Sequence, residues 1–155
     1  EELAGRLLAT RGLTLSTAES CTGGMIARRI TSIPGCSQYF KGSVVAYDNA
    51  IKTNLLGVAE ETFRDHGAVS QPVVKQMARG IMKLYETDFS LATSGIAGPS
   101  GGTPEKPVGT TWIAVASDDR VITRQFHFGD NRDLNIRKAT NTALVMLKKM
   151  ILKEI

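Results

Sequence analysis

Between Ser94 and Gly109 the chain places five glycines and three prolines within sixteen residues. Proline cannot continue a helix interior or a central strand, and glycine weakens both. No regular element is therefore expected there, and the stretch separates two differently patterned halves. Upstream, helical and strand-like patterns alternate. Leu3, Leu7 and Leu8 lie on one helical stripe stopped by Gly12, and Leu13 to Thr17 alternates as a short strand. Thr22 to Thr31 is helical up to the Pro34-Gly35 break, and Tyr39 to Tyr47 is strand-like. Asp48 or Asn49 caps a helix that runs through Leu55-Leu56 to Gly57, and Glu60 to Asp65 is a short helical turn. Ser70-Gln71-Pro72 starts a helix whose stripe is Val73, Val74, Met77, Ile81, Met82 and Tyr85, and Phe89 to Thr93 is a buried type of strand. Downstream, Thr110 to Ala116 and Val121 to Phe128 flank an Asp118-Asp119 turn and predict a hairpin. Arg132 to Ile155 is the longest helix, with Leu134, Ala143, Leu147, Met150 and Ile151 as inward candidates. Helices between strands imply parallel pairing, and a hairpin implies antiparallel pairing. The expected fold is α/β, a three-layer α/β/α sandwich with a mixed sheet, formed as one domain over residues 1–155.

The bulk properties exclude several function classes. At 155 residues, 42% hydrophobic and 22% charged, the chain has an ordinary globular composition. No apolar run approaches the roughly 20 residues that span a bilayer. The acidic opening Glu1-Glu2-Leu3 does not read as a signal peptide, so a cytoplasmic location is expected. Cys21 and Cys36 with His66 and His127 are too scattered for a structural zinc, and no metal or organic cofactor is expected. The net charge of +4 is dispersed, apart from Lys148-Lys149. Dispersed charge favours a small anionic ligand over nucleic acid, which calls for a basic stripe.

Ser20 closes a strand and stands just before a helix. The first N–H groups of that helix, from Thr22, Gly23 and Gly24, lack intrahelical partners and could receive an oxyanion formed by attack on a carbonyl. This is the logic of a nucleophile elbow, although Gly-x-Ser-x-Gly is absent. Spacing alone favours Ser20 or Thr22 as a helix N-cap, since serine caps are common. Cys21 is a second nucleophile by type, with no histidine near it in sequence. A serine needs a base. His66 sits in the charged turn Arg64-Asp65-His66-Gly67, and His127 lies between Phe126 and Phe128, with nothing to mark either as a triad member. A lysine of lowered pKa is the alternative, and Lys52, in Tyr47-Asp48-Asn49-Ala50-Ile51-Lys52, is the candidate.

These residues belong to a longer ordered pattern. Ala18-Glu19-Ser20-Cys21-Thr22-Gly23-Gly24, Pro34-Gly35-Cys36-Ser37, Tyr47 with Lys52, Gly67-Ala68-Val69-Ser70, Gly95-Ile96-Ala97-Gly98-Pro99 and Gly101 through Gly109 follow one another over nearly the whole chain. In that pattern the chain resembles the CinA C-terminal domain family, whose characterised members are nicotinamide mononucleotide deamidases. The resemblance implies Ser20 as nucleophile on the nicotinamide carboxamide, Lys52 as the group that takes its proton and later protonates departing ammonia, and Tyr47 as a support for that transfer. It implies a pyridine nucleotide as ligand, and agrees with the fold above. The family commonly has Thr at the position of Ser94, which keeps the hydroxyl, and often Asp or Thr at that of Ser100.

The Ser94–Gly109 loop is long enough to be functional. It lacks the P-loop pattern, but Ser94, Gly95, Gly98, Gly101 and Gly102 can present groups to a phosphate or ribose. Of the two arginines opening the last helix, Arg137 is the expected phosphate contact and Arg132 the expected solvated one. The apolar last helix can serve the core or an interface with a second copy of the chain. Two other functions are alternatives: a non-catalytic nucleotide-binding or regulatory module, against which the presence of Ser20, Tyr47 and Lys52 together argues, and an amidase for a different amide, which the sequence does not separate from the first reading.

Overall fold

The computed structural model describes residues 1–155. In chain order the elements are α1 (Glu2–Arg11), β1 (Leu15–Glu19), α2 (Met25–Thr31), β2 (Phe40–Val45), α3 (Asn49–Leu56), α4 (Glu60–His66), α5 (Gln71–Tyr85), β3 (Phe89–Gly95), β4 (Thr110–Ser117), β5 (Val121–His127) and α6 (Arg132–Ile151). A short 3-10 turn, Cys36–Gln38, precedes β2. Gly12 and Gly57 end α1 and α3 in the left-handed conformation, which glycine adopts without strain. Asp48 caps α3 by accepting the Ala50 N–H at 2.7 Å.

The five strands form one mixed sheet in the order β2-β1-β3-β4-β5. β1 pairs in parallel with β2 and with β3, whereas β3–β4 and β4–β5 are antiparallel. One face carries α1, α2 and α6 over Leu15, Leu91, Ile113 and Val115. The other carries α3 and α5 over Ala18, Ala92, Ala114 and Ala116. The expected three-layer α/β/α sandwich with a mixed sheet is the observed fold. The small side chains on the second face let α5 lie close to the sheet. Ser90 Oγ donates to the carbonyl of Ala78 at 2.7 Å, and Ser16 Oγ contacts both Ile81 O and Thr87 Oγ1, so the buried hydroxyls there are satisfied.

Three expectations shift. β1 begins two residues later and runs to Glu19, because its parallel register with β3 pairs Glu19 with Thr93. α2 begins at Met25 and not Thr22, since Gly23 and Gly24 take φ of 59° and 93°, outside a right-handed helix. Leu134 is exposed, and Asn135 is the inward residue of that turn. Its Nδ2 donates to Ala97 O and Gly129 O, both at 2.9 Å, docking α6 on the loop that follows β3. No helix is long and apolar enough to cross a membrane.

Candidate active site

The chain leaves β1 for β2 on one side of it and returns for β3 on the other. The carboxyl ends of these parallel strands therefore open a crevice at the point where the strand order reverses, the usual place for a ligand in an open α/β sheet. Ser20 follows β1, Tyr47 to Lys52 follow β2, and Ser94-Gly95 end β3. A cleft of about 380 Å³ lies there. It is lined by Ser20, Cys21, Tyr47, Asn49 and Lys52, by Ala68-Val69, by Ser94 to Gly98, and by Ser100, Gly101 and Arg132.

The Ser20 corner is organised by a residue the sequence reading passed over. Glu19 is wholly buried with no cation beside it. Its Oε2 accepts from Thr22 Oγ1 at 2.7 Å, Gly24 N–H at 3.1 Å and Ile26 N–H at 3.0 Å, and its Oε1 accepts from Ala27 N–H at 2.7 Å. The carboxylate thus caps α2 from the end of β1, where the helix dipole favours negative charge. Neither Ser20 nor Thr22 is the N-cap, a position held by Gly24. The available signal was an acid closing a buried strand just before a Thr-Gly-Gly turn.

This cap corrects the expected oxyanion donors. The Gly23 N–H is taken by Ser20 O and the Gly24 N–H by Glu19, and neither glycine lines the cleft. The Thr22 side chain is buried between Glu19 and Thr93. The N–H groups of Cys21 and Thr22 donate to no main-chain carbonyl, and Cys21 lines the cleft. Burial pushes the Cys21 thiol up to about 12, so it is a neutral thiol and a poor nucleophile beside Ser20.

Lys52 is 2% exposed, yet its amine end reaches the cleft. Nζ donates to Tyr47 O at 3.2 Å and to Asn49 Oδ1 at 3.3 Å, both uncharged acceptors. Burial pulls its pKa below the ordinary lysine value, against the smaller opposing pull of Asp48 and Cys21. That is the direction a general base requires. Tyr47 is 61% exposed and accepts at its hydroxyl from Arg132 Nη2 at 3.1 Å, so its contact with Lys52 runs through its carbonyl and not its phenol. Neither histidine lines the cleft: His66 and His127 are both exposed at the ends of α4 and β5.

Arg132 faces this cleft and Arg137 does not. Arg132 Nη1 donates to Gly98 O at 2.7 Å, while Arg137 opens onto a separate groove with Met25, Arg28, Arg29, Ser32 and Asn141. The five intervening steps turn a helix by about 140° beyond one full circle, which separates the two guanidinium groups. The loop glycines divide as well. Gly95, Gly98 and Gly101 line the cleft, but Gly102 does not, and a Cβ on it would stand 2.7 Å from Val108 N. Gly95 also permits close packing, since a Cβ there would lie 3.0 Å from Cys21 Sγ and 2.7 Å from Thr111 Oγ1. Ser94 Oγ donates to Ala68 O at 2.8 Å, tying the loop after α4 to the cleft wall. No cluster of His, Cys, Asp or Glu suited to a metal is present.

Residues 1–151 match the family model described as the CinA C-terminal domain. The chain belongs to that family. A CinA-like protein of Endomicrobium trichonymphae is 50% identical over 97% of this chain, which spans 35% of that relative's length. The chain likewise spans only about a third of the length of other CinA-like relatives it matches. The nicotinamide-nucleotide amidohydrolase PncC of Escherichia coli is 48% identical over 98% of this chain and 93% of its own length. A CinA superfamily crystal structure from Klebsiella pneumoniae superposes with a TM-score of 0.93 at 33% identity, covering 97% of this chain and 94% of that one. The competence/damage-inducible protein of Agrobacterium tumefaciens superposes at 0.88 with 41% identity, covering 94% and 92%. Among CinA domains, this one therefore has both CinA-like and amidohydrolase relatives.

Proposed function

We propose that this domain is an amidohydrolase that converts nicotinamide mononucleotide and water to nicotinate mononucleotide and ammonia by a Ser20–Lys52 mechanism. The observation that carries the reading is the meeting of Ser20 and a buried Lys52, whose two hydrogen-bond acceptors are both uncharged, in one cleft at the strand-order reversal. A relative named as a nicotinamide-nucleotide amidohydrolase, similar over almost its full length, supports the substrate class.

In this mechanism Ser20 Oγ attacks the carboxamide carbon as Lys52 Nζ takes the hydroxyl proton. The carbonyl oxygen becomes an oxyanion facing the N–H group of Cys21. Lys52 then returns the proton to the amide nitrogen, the C–N bond breaks, ammonia leaves, and an ester on Ser20 remains. Water attacks the ester as Lys52 accepts one of its protons. The C–O bond to Ser20 breaks, Oγ is reprotonated from Lys52, and the acid so formed gives its remaining proton to solvent and departs as the carboxylate. Arg132 suits the phosphate through a charge-assisted fork, in place of the expected Arg137, with Ser94, Gly95, Gly98 and Gly101 along the same wall. Tyr47, paired to Arg132, closes the exposed side.

Ammonia release from nicotinamide mononucleotide tests the reading. Wild type should release it, and Ser20→Ala and Lys52→Ala should each lose at least about 10³-fold in kcat. No release by wild type removes the activity, release from another amide only would change the substrate, and full activity in Ser20→Ala removes the mechanism.

A further inference from the structure

We propose that Asn49 is a positioning residue for Lys52, holding the amine toward the cleft through an uncharged acceptor so that it can lose its proton. The proposal rests on the amidohydrolase reading for its catalytic consequence, but its physical content concerns the amine alone. Asn49 is the first residue of α3 and Lys52 lies three positions on, the spacing that brings side chains together on one helix face. Asn49 Oδ1 receives Nζ at 3.3 Å, the only side-chain acceptor on that amine, and Asn49 itself lines the cleft.

The choice of an amide at this place has a consequence. A carboxylate at the same distance would hold the ammonium form by direct charge attraction in a partly buried site, and a lysine so held cannot take the Ser20 proton. The other charged or titratable groups around Nζ do not fill that role. Asp48 precedes α3, but its carboxylate is engaged by the Ala50 N–H and makes no ion pair with Lys52. From the corner after β1, Cys21 presents a neutral thiol, with Glu19 behind it committed to the α2 cap. At the end of β2, Tyr47 offers its carbonyl to Nζ and its phenol to Arg132 of α6, and the Ala68-Val69 wall after α4 has no titratable group. Asn49 is thus the one side chain whose exchange for a near-isosteric acid would place a charge against Nζ.

Asn49→Asp and Asn49→Ala test this with two readouts. The first is an NMR titration of the Lys52 side chain, which needs no activity. Asn49→Asp should raise the Lys52 pKa by at least one unit above wild type, and Asn49→Ala should not raise it. The second is the pH profile of kcat/KM for ammonia release. In Asn49→Asp the acid limb should move up by the same interval, with at least a tenfold loss at neutral pH that is recovered at alkaline pH. A merely structural role would lower activity at all pH values without moving the limb. An unshifted Lys52 titration in a folded Asn49→Asp, checked by its thermal transition, overturns the proposal whatever the enzyme does. A shifted titration with no ammonia release by wild type would retain the Asn49–Lys52 coupling and remove the amidohydrolase reading.

Discussion

Lys52 enters α3 as a buried amine whose two acceptors are both uncharged. Burial lowers its pKa from the ordinary 10.5, so between the folded and unfolded values the unfolded chain binds more protons. Stability contributed by this residue therefore rises with pH through that window, and the desolvation penalty is fully present below the folded value. Lys52→Met removes the charge and keeps the apolar stem. We expect it to abolish ammonia release and to raise the thermal midpoint at neutral pH, with the gain shrinking as pH approaches 10.5. A variant less stable than wild type at neutral pH would mean that the amine is held by more than its two recorded acceptors. Cys21 shows the complementary case. It is adjacent to Ser20, the proposed nucleophile, in sequence, but burial raises its pKa and favours the neutral thiol.

At the scale of elements, the site depends on how closely α5 can approach α3. Gly80, on α5, faces the main chain at Leu56, the last residue of α3, and a Cβ at Gly80 would lie 1.9 Å from Leu56 O. That neighbour is backbone, so only a shift of one helix relieves the clash. Gly80→Ala should cost about 1–3 kcal/mol or more from overpacking, set against the small gain in helix propensity. Because α3 carries Asn49 and Lys52, the same shift should lower kcat although Gly80 is remote from the cleft. Urea unfolding and ammonia release measure the two effects, and a fully active, fully stable variant would show that α3 can move without harm. The cap on α2 works in a similar way. A carboxylate from β1 satisfies three N–H groups of the corner and the following helix, fixing where Ser20 stands.

For the whole molecule, the cleft collects residues from positions 20 to 132, and three of the five strands, β1, β2 and β3, end beside it. A ligand that bridges these segments binds only the folded chain and stabilises all of it. At 100 times Kd the linkage amounts to about 2.7 kcal/mol, or a rise of roughly 5–10 °C for a domain of this size. Nicotinamide mononucleotide should produce such a rise in the Ser20→Ala protein, which cannot turn it over. Arg132→Ala in that background should remove most of it at the same concentration, and Arg137→Ala should leave it in place. Equal loss in both variants, read by thermal denaturation, would move the phosphate away from Arg132.

Local pattern carried much of this protein. Apolar spacing, Gly and Pro punctuation and a tight turn placed six helices and five strands to within a few residues, because each depends on neighbours in sequence. The alternation of those elements implied the mixed sheet and the layers. An ordered set of motifs supplied the family and drew attention to Ser20, Tyr47 and Lys52. Other features were out of reach of any local pattern. Glu19 as the cap of α2 required β1 to end beside that helix, and the burial of Lys52 with two uncharged acceptors required knowing which groups come near it. Arg132 and Arg137 are equivalent by residue type and lie on the same helix, so only the docking of α6 on the Gly-rich loop separates them. Gly23 and Gly24 likewise follow Ser20 closely in sequence, but their N–H groups turn back to Ser20 and Glu19. Hydrogen-bond partners and burial are pairwise properties of distant segments, and they exist only once the sheet has brought those segments together.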